Sequence, residues 1–223
     1  MTQLGKIRVL LIRHGQTAWN ASGRWQGITQ VPLNDVGIAQ AQTLAEHLKD
    51  RRIRKVIASD LTRASHTAQF IAERHGLKVI EDARWRELNM GVFQGLTYPE
   101  ILERYPAEAE VMKHDYMGFA APGGEPRRDL QARAYSAFMD VIADQVEDAG
   151  EGTPEIVIVS HGGTIRSLLL KLFDGDEAAH TPLENSSVTI IESDGETHTL
   201  IGAALIEHLT TLPGLGTSRR DDT

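Results

Sequence analysis

The sequence predicts an α/β fold on a largely parallel sheet, and three observations carry the prediction. Apolar runs of strand length alternate with helical patterns along the chain. The run Glu155–Ser160 is apolar enough to be a strand covered on both faces. A hairpin signal, Asp194-Gly195, falls only late in the chain, after the alternation has ended.

Taken in order, Lys6–Ile12 reads as a buried strand. Leu33–Asp50 follows as a helix, with Val36, Ala39, Leu44 and Leu48 on its apolar face and Asn34 or Asp35 as its cap. Lys55–Ser59 is a second strand and Leu61–Gly76 a second helix, ended by the glycine. Leu77–Asp82 is a third strand. Thr97–Pro106 reads as holding a short helix between Pro99 and Pro106, and 114–128 as a loop broken by Pro122, Gly123, Gly124 and Pro126. Asp129 to about Glu147 is a long helix, with Leu130, Ala134, Ala137, Phe138, Val141, Ile142 and Val146 as its apolar positions. Glu147–Glu155 is a flexible connection. Thr164–Phe173 is a helix after the strand Glu155–Ser160, and Ser186–Leu205 is two strands around Asp194-Gly195. Asn89–Pro126 is expected as a small cap over the sheet, and 211–223 as a frayed polar tail.

Composition narrows the function. The chain has 223 residues, enough for one large domain, with a formal net charge of −8. No broad basic surface follows, which argues against nucleic acid as a partner. There are no cysteines, so disulfides, thiolate catalysis and cysteine metal sites are excluded. The first apolar run carries charge on both sides and lacks signal-peptide features. No apolar stretch approaches the roughly 20 residues of a membrane span. A cytoplasmic protein is expected, with no membrane partner.

In open α/β sheets, ligands bind at the carboxyl ends of strands. Those ends carry few polar residues here: Arg13-His14-Gly15, then Ser59-Asp60 with Arg63 close behind, then Glu87, and then His161-Gly162-Gly163. Two arginines offer forks of N–H donors suited to a tetrahedral oxyanion. Two histidines offer a nucleophile and a donor, and one carboxyl group can serve as a proton donor. Helix starts near Thr62 and at Gly162 or Gly163 point N–H groups at the same crevice. Together these describe a phosphate pocket with a nucleophile in it.

The motifs "LIRHGQTAWN", "SDLTRASHTA", "ELNMGVFQGL", "PGGE" and "VSHGG", in this order over nearly the whole chain, resemble those of the histidine phosphatase superfamily, which includes the cofactor-dependent phosphoglycerate mutases. The resemblance implies a three-layer α/β/α sandwich of the phosphoglycerate mutase-like kind, one domain over 1–210 with a cap-like insertion at about 89–126. It also implies roles. His14 attacks phosphorus. Arg13, Arg63 and His161 hold the phosphoryl oxygens, and Asn20 joins them. Glu87 protonates the leaving oxygen and then activates water. Gln26 and the backbone of Gly162 are secondary contacts. No metal and no organic cofactor is implied.

Three readings compete: a phosphatase, a bisphosphoglycerate-dependent mutase, and a scaffold that only binds phosphate. The interval from Glu87 to His161 is short for a mutase, and Leu88-Asn89-Met90 replaces the basic and aromatic residues a mutase carries after its acid. The scaffold reading requires a lost catalytic residue, and His14, Glu87, His161 and both arginines are present. Phosphatase is therefore the expectation. Pro126 after "PGGE" departs from both enzyme patterns. Arg84 and Arg86 leave open a bland alternative for Glu87, a surface ion pair.

The substrate is expected to be a small phosphomonoester, with specificity in the apolar segment Asn89–Pro126 and in Arg24 and Tyr116. The histidines 47, 66, 75, 114, 180, 198 and 208 have no ligand spacing, and most read as surface or helix-end residues. Of the tryptophans Trp19, Trp25 and Trp85, Trp25 is expected near the pocket entrance. The end of the sheet near Ser187–Leu205 is where two chains could pair as a homodimer.

Overall fold

The apolar runs assemble into one six-stranded sheet: β1 (Ile7–Arg13), β2 (Ile53–Ala58), β3 (Val79–Glu81), β4 (Glu155–Ser160), β5 (Val188–Ser193) and β6 (His198–Leu205). The computed structural model describes residues 5–146, 153–210 and 212. Residues 147–152 of the connection expected at 147–155, and nearly all of the tail at 211–223, lie outside these. The strand order is β3-β2-β4-β1-β5-β6. The four strands β3, β2, β4 and β1 are mutually parallel. The hairpin β5–β6 adds two antiparallel strands beyond β1, with Gly195 in the left-handed region at its turn.

Alternation along the strands sends side chains to two apolar layers. Ile7, Val9, Leu11, Ile156 and Ile158 pack against α6 (Arg127–Val146) and α7 (Gly162–Leu172). Leu10, Ile12, Val56, Ala58, Val157 and Val159 pack against α2 (Asp35–Leu48) and α3 (Thr62–Arg74). Every residue of β4 is buried, as a central strand sandwiched between helices requires. The result is the expected three-layer α/β/α sandwich.

Two expectations are corrected and one element is added. On α2, Val36 is exposed and Ala39 half-buried; the inward face is Gly37, Gln40, Ala41, Leu44, Ala45 and Leu48. That face meets the loop after β1, where small and polar side chains fit: Gln40 accepts the N–H of Gln16 at 2.9 Å. The segment after α4 (Tyr98–Arg104) continues into a further helix, α5 (Pro106–His114), which apolar periodicity did not indicate. The long helix α6 begins at Arg127, two residues early, because Pro126 supplies the carbonyl that accepts from Asp129 and Leu130. Pro126 thus starts a helix, a position where its missing N–H costs nothing.

Residues 89–126 gather around their own small cluster. Phe93, Ile101, Ala109 and Ala121 are buried there, with Trp25, Met90, Leu96, Tyr105, Met112 and Phe119 packed on them. Trp25 stacks on Tyr98 within this cluster. Trp85 lies fully buried among the residues that face α6 and α7.

Candidate active site

The strand register builds the centre of the site. β1 and β4 pair with Arg13 opposite Ser160, so the next residues, His14 and His161, stand side by side. The His14 N–H bonds the Ser160 carbonyl at 2.9 Å. The two rings meet edge to face with centroids 5.1 Å apart, and both are buried. Because β2 lies on the far side of β4, the chain crosses over between β1 and β2. The crevice sits at that reversal, where ligands bind in such sheets.

Partners fix the state of each ring. His14 Nδ1 lies 2.6 Å from the carbonyl oxygen of Gly15, which can only accept, so Nδ1 carries the proton. Nε2 then holds the lone pair and accepts from Arg63 Nε at 3.2 Å. Burial, followed by the charges of Arg63 and Arg13, holds His14 well below the ordinary histidine range. His161 is pushed the same way by burial first, then Arg63, His14 and two further arginines. Its Nε2 sits 2.9 Å from Ser59 Oγ. Its Nδ1 is buried with no hydrogen-bond partner among the described residues.

The arginines are set from the backbone. Arg63, in the first turn of α3, is almost wholly buried. It donates through its terminal nitrogens to the carbonyls of Thr29 at 2.8 Å and Gly27 at 2.7 Å. Burial lowers it to about 10, with Glu87 opposing that shift and Arg13 adding to it. Arg13 donates to the Leu183 carbonyl and lies against Gly162, where an added Cβ would come 3.4 Å from Arg13 Nε.

Glu87 is brought to the same crevice, and not by the ion pairs its neighbours allowed. Arg84 pairs with Asp82 and Asp140, and Arg86 with Asp60. The Glu87 carboxylate instead accepts the N–H of Leu88 at 2.8 Å and that of Gly163, in the first turn of α7, at 3.0 Å. A Cβ at Gly163 would lie 2.4 Å from Glu87 Oε1, so only glycine leaves room for the carboxylate there.

The secondary residues stand one step back. Asn20 closes a capping box with Thr17 on α1 (Ala18–Ala21), and Gln26 Oε1 is 3.0 Å from the Thr17 hydroxyl. Arg24 bonds Gly95 and Glu100, while Tyr116 is half-exposed under the Arg127 guanidinium. Several residues escaped the sequence reading. Asn185 donates to the His14 carbonyl at 3.0 Å and reaches Asn20 Oδ1 at 3.3 Å. Ser186 takes a left-handed backbone with φ of 61° and bonds the Arg13 carbonyl. Thr67 receives the Gly15 N–H at 3.1 Å. Ser186 and Ser187 are expected within the late strands; the signal was three polar residues, Asn185–Ser187, directly preceding an apolar run.

The sheet order, the covering helices and the crevice at the ends of β1 and β4 define a protein of the phosphoglycerate mutase fold. Residues 9–204 match the family model of the histidine phosphatase superfamily (branch 1), and the chain belongs to that family. It is 38% identical over 170 residues to glucosyl-3-phosphoglycerate phosphatase of Mycobacterium tuberculosis, covering 74% of this chain and 76% of that one. It is 36% identical over 192 residues to phosphoglycerate mutase-like protein 4 of Arabidopsis thaliana, covering 76% and 81%. The native structure of the mycobacterial glucosyl-3-phosphoglycerate phosphatase superposes with a TM-score of 0.77 at 32% identity, covering 90% of this chain and 100% of that one.

Proposed function

We propose that this chain hydrolyses small phosphomonoesters through a phosphohistidine on His14, without a metal. The observation that carries the reading is the state of His14: neutral, protonated on Nδ1, with its Nε2 lone pair beside a buried arginine. Nε2 attacks phosphorus as the ester P–O bond breaks. Arg13, Arg63 and His161 bind the phosphoryl oxygens, for which the unpartnered His161 Nδ1 is a waiting polar atom. Glu87 gives its proton to the departing oxygen. Its carboxylate then takes a proton from water, which attacks phosphorus and returns the N–P electron pair to His14. Residues 1–210 act as one catalytic domain in the cytoplasm, with 89–126 as the cap that selects the ester.

The test is product analysis. 4-Nitrophenyl phosphate, 3-phosphoglycerate and glucosyl-3-phosphoglycerate, the ester named for the mycobacterial relative, are incubated with and without 2,3-bisphosphoglycerate. Inorganic phosphate released independently of the bisphosphate, unaffected by EDTA and lost in His14→Ala, supports the proposal. Bisphosphate-dependent 2-phosphoglycerate would make the chain a mutase instead. Turnover that EDTA abolishes and a divalent metal restores would overturn the metal-free mechanism.

A further inference from the structure

The loop that carries Glu87 has little secondary structure of its own beyond one 3-10 turn at Ala83–Trp85, yet the four successive carbonyls of Arg84, Trp85, Arg86 and Glu87 are each taken by a side chain from elsewhere. Ser160 donates to the Trp85 carbonyl at 2.7 Å and Thr164 to that of Arg86 at 2.9 Å. The rest fall to one residue of α6. Arg133 Nη1 donates to the carbonyls of Arg84 at 2.7 Å and Arg86 at 2.6 Å. Its Nη2 donates to the carbonyl of Glu87 at 2.9 Å and to Glu125 Oε1 at 2.7 Å. Its Nε faces Glu125 Oε2 at 3.4 Å. All five guanidinium donors are thereby used. Glu125, the acid of "PGGE", closes the frame by accepting the Asn89 N–H at 2.9 Å.

We infer that the Arg133–Glu125 pair is a positioning device for the proton donor, fixing the backbone on both sides of Glu87 so that its carboxylate stays against Gly163. This rests on the role of Glu87 proposed above. The planar fork matters: it holds three carbonyls and a carboxylate at set angles, and a lysine ammonium with three donors reaches only part of that set. A proton donor a fraction of an ångström out of place loses most where the leaving group most needs the proton.

The test compares phenyl phosphate with 4-nitrophenyl phosphate, esters of similar shape whose leaving groups need a proton to different degrees. kcat/KM is read, since it reports the phosphorylation step. Arg133→Gln should lose about 10-fold more on the phenyl ester than on the nitrophenyl ester, less than the roughly 10²–10⁴-fold a general acid contributes, because the donor is displaced and not removed. Arg133→Lys should recover part of that difference. Glu125→Gln should show the same selectivity and carries the test if Arg133→Gln fails to fold. Glu87→Gln runs beside them. Equal losses on both esters in the Arg133 and Glu125 variants, with Glu87→Gln still discriminating, would overturn the inference and leave the donor in place. Absence of discrimination in Glu87→Gln, or no turnover of either ester by the wild type, would instead overturn the reading of the site.

Discussion

Gly15 answers a steric demand and not a conformational one. A Cβ there would sit 2.5 Å from the carbonyl oxygen of Gly37, and a Cβ at Gly37 would sit 2.0 Å from that of Gln16. The two glycines let the first turn of α2 touch the loop that carries His14. Because the Gly15 carbonyl also holds the His14 Nδ1 proton, displacement of this loop misaims Nε2. Gly15→Ala should cost about 1–3 kcal/mol of stability, the usual price of overpacking, and lower turnover further than that loss explains. Denaturant unfolding beside kcat measures both, and an unchanged midpoint would remove the steric account. Gly163→Ala should act differently. The three atoms nearest its Cβ all belong to the Glu87 carboxyl group, the far end of a side chain, so turnover should fall with little change in the unfolding midpoint. At this scale the sequence is legible wherever a side chain of the crevice sits at the end of a strand or the start of a helix, as with Arg13, His14, Arg63 and His161. It is silent on Asn185, Ser186 and Arg133, which act through backbone carbonyls. A carbonyl is the same on every residue, so nothing in the acceptor's identity marks the contact.

Among the elements, α2 links the core to the site. Asn34 caps it, accepting the Gly37 N–H at 2.8 Å, and also donates to Gln16 Oε1 at 2.9 Å. Asn34→Ala should therefore cost about 1 kcal/mol as a lost helix cap, and Asn34→Ser, which restores an acceptor, should regain most of it in thermal unfolding. The cap was readable from its residue type. So were Leu44 and Leu48, which are buried as expected; Gly37 and Gln40 were not, because the helix packs these small and polar residues on the loop after β1, where apolar periodicity has no purchase. The same limit hid α5. Ala109 is the one residue of that helix that is buried, so no stripe exists to detect; its signals were Pro106 at the first position and a run of good helix formers. Strands β1, β2 and β4 were legible because each contains an uninterrupted apolar run, Val9–Ile12, Val56–Ala58 and Ile156–Val159, that is buried throughout.

Over the whole molecule, burial of histidines sets how stability depends on pH. His14, His161 and His208 are all held below the ordinary value of 6.5, and His208 is lowered to about 4. Burial is the first cause in each; for His208 the stacked ring of His47 adds to it, and the carbonyl of Ser186 and the Glu207 carboxylate oppose it. A folded-state pKa below the unfolded one means that the unfolded chain takes up protons first as pH falls. These groups therefore leave stability unchanged above pH 6.5 and remove it progressively below, for His208 through the window from 6.5 to about 4. The paired carboxylates Asp60, Asp82 and Glu192 are held below the ordinary carboxylate range, so they begin to remove stability only toward the acid end of that window. The upper part of the decline thus belongs to the histidines. His208→Gln keeps a donor for the Ser186 carbonyl but cannot titrate, so its unfolding free energy should fall less steeply between pH 6 and 5. Urea unfolding at pH 7, 6 and 5 measures it. A slope equal to that of the wild type would show that His208 does not remain neutral in the folded protein across that range.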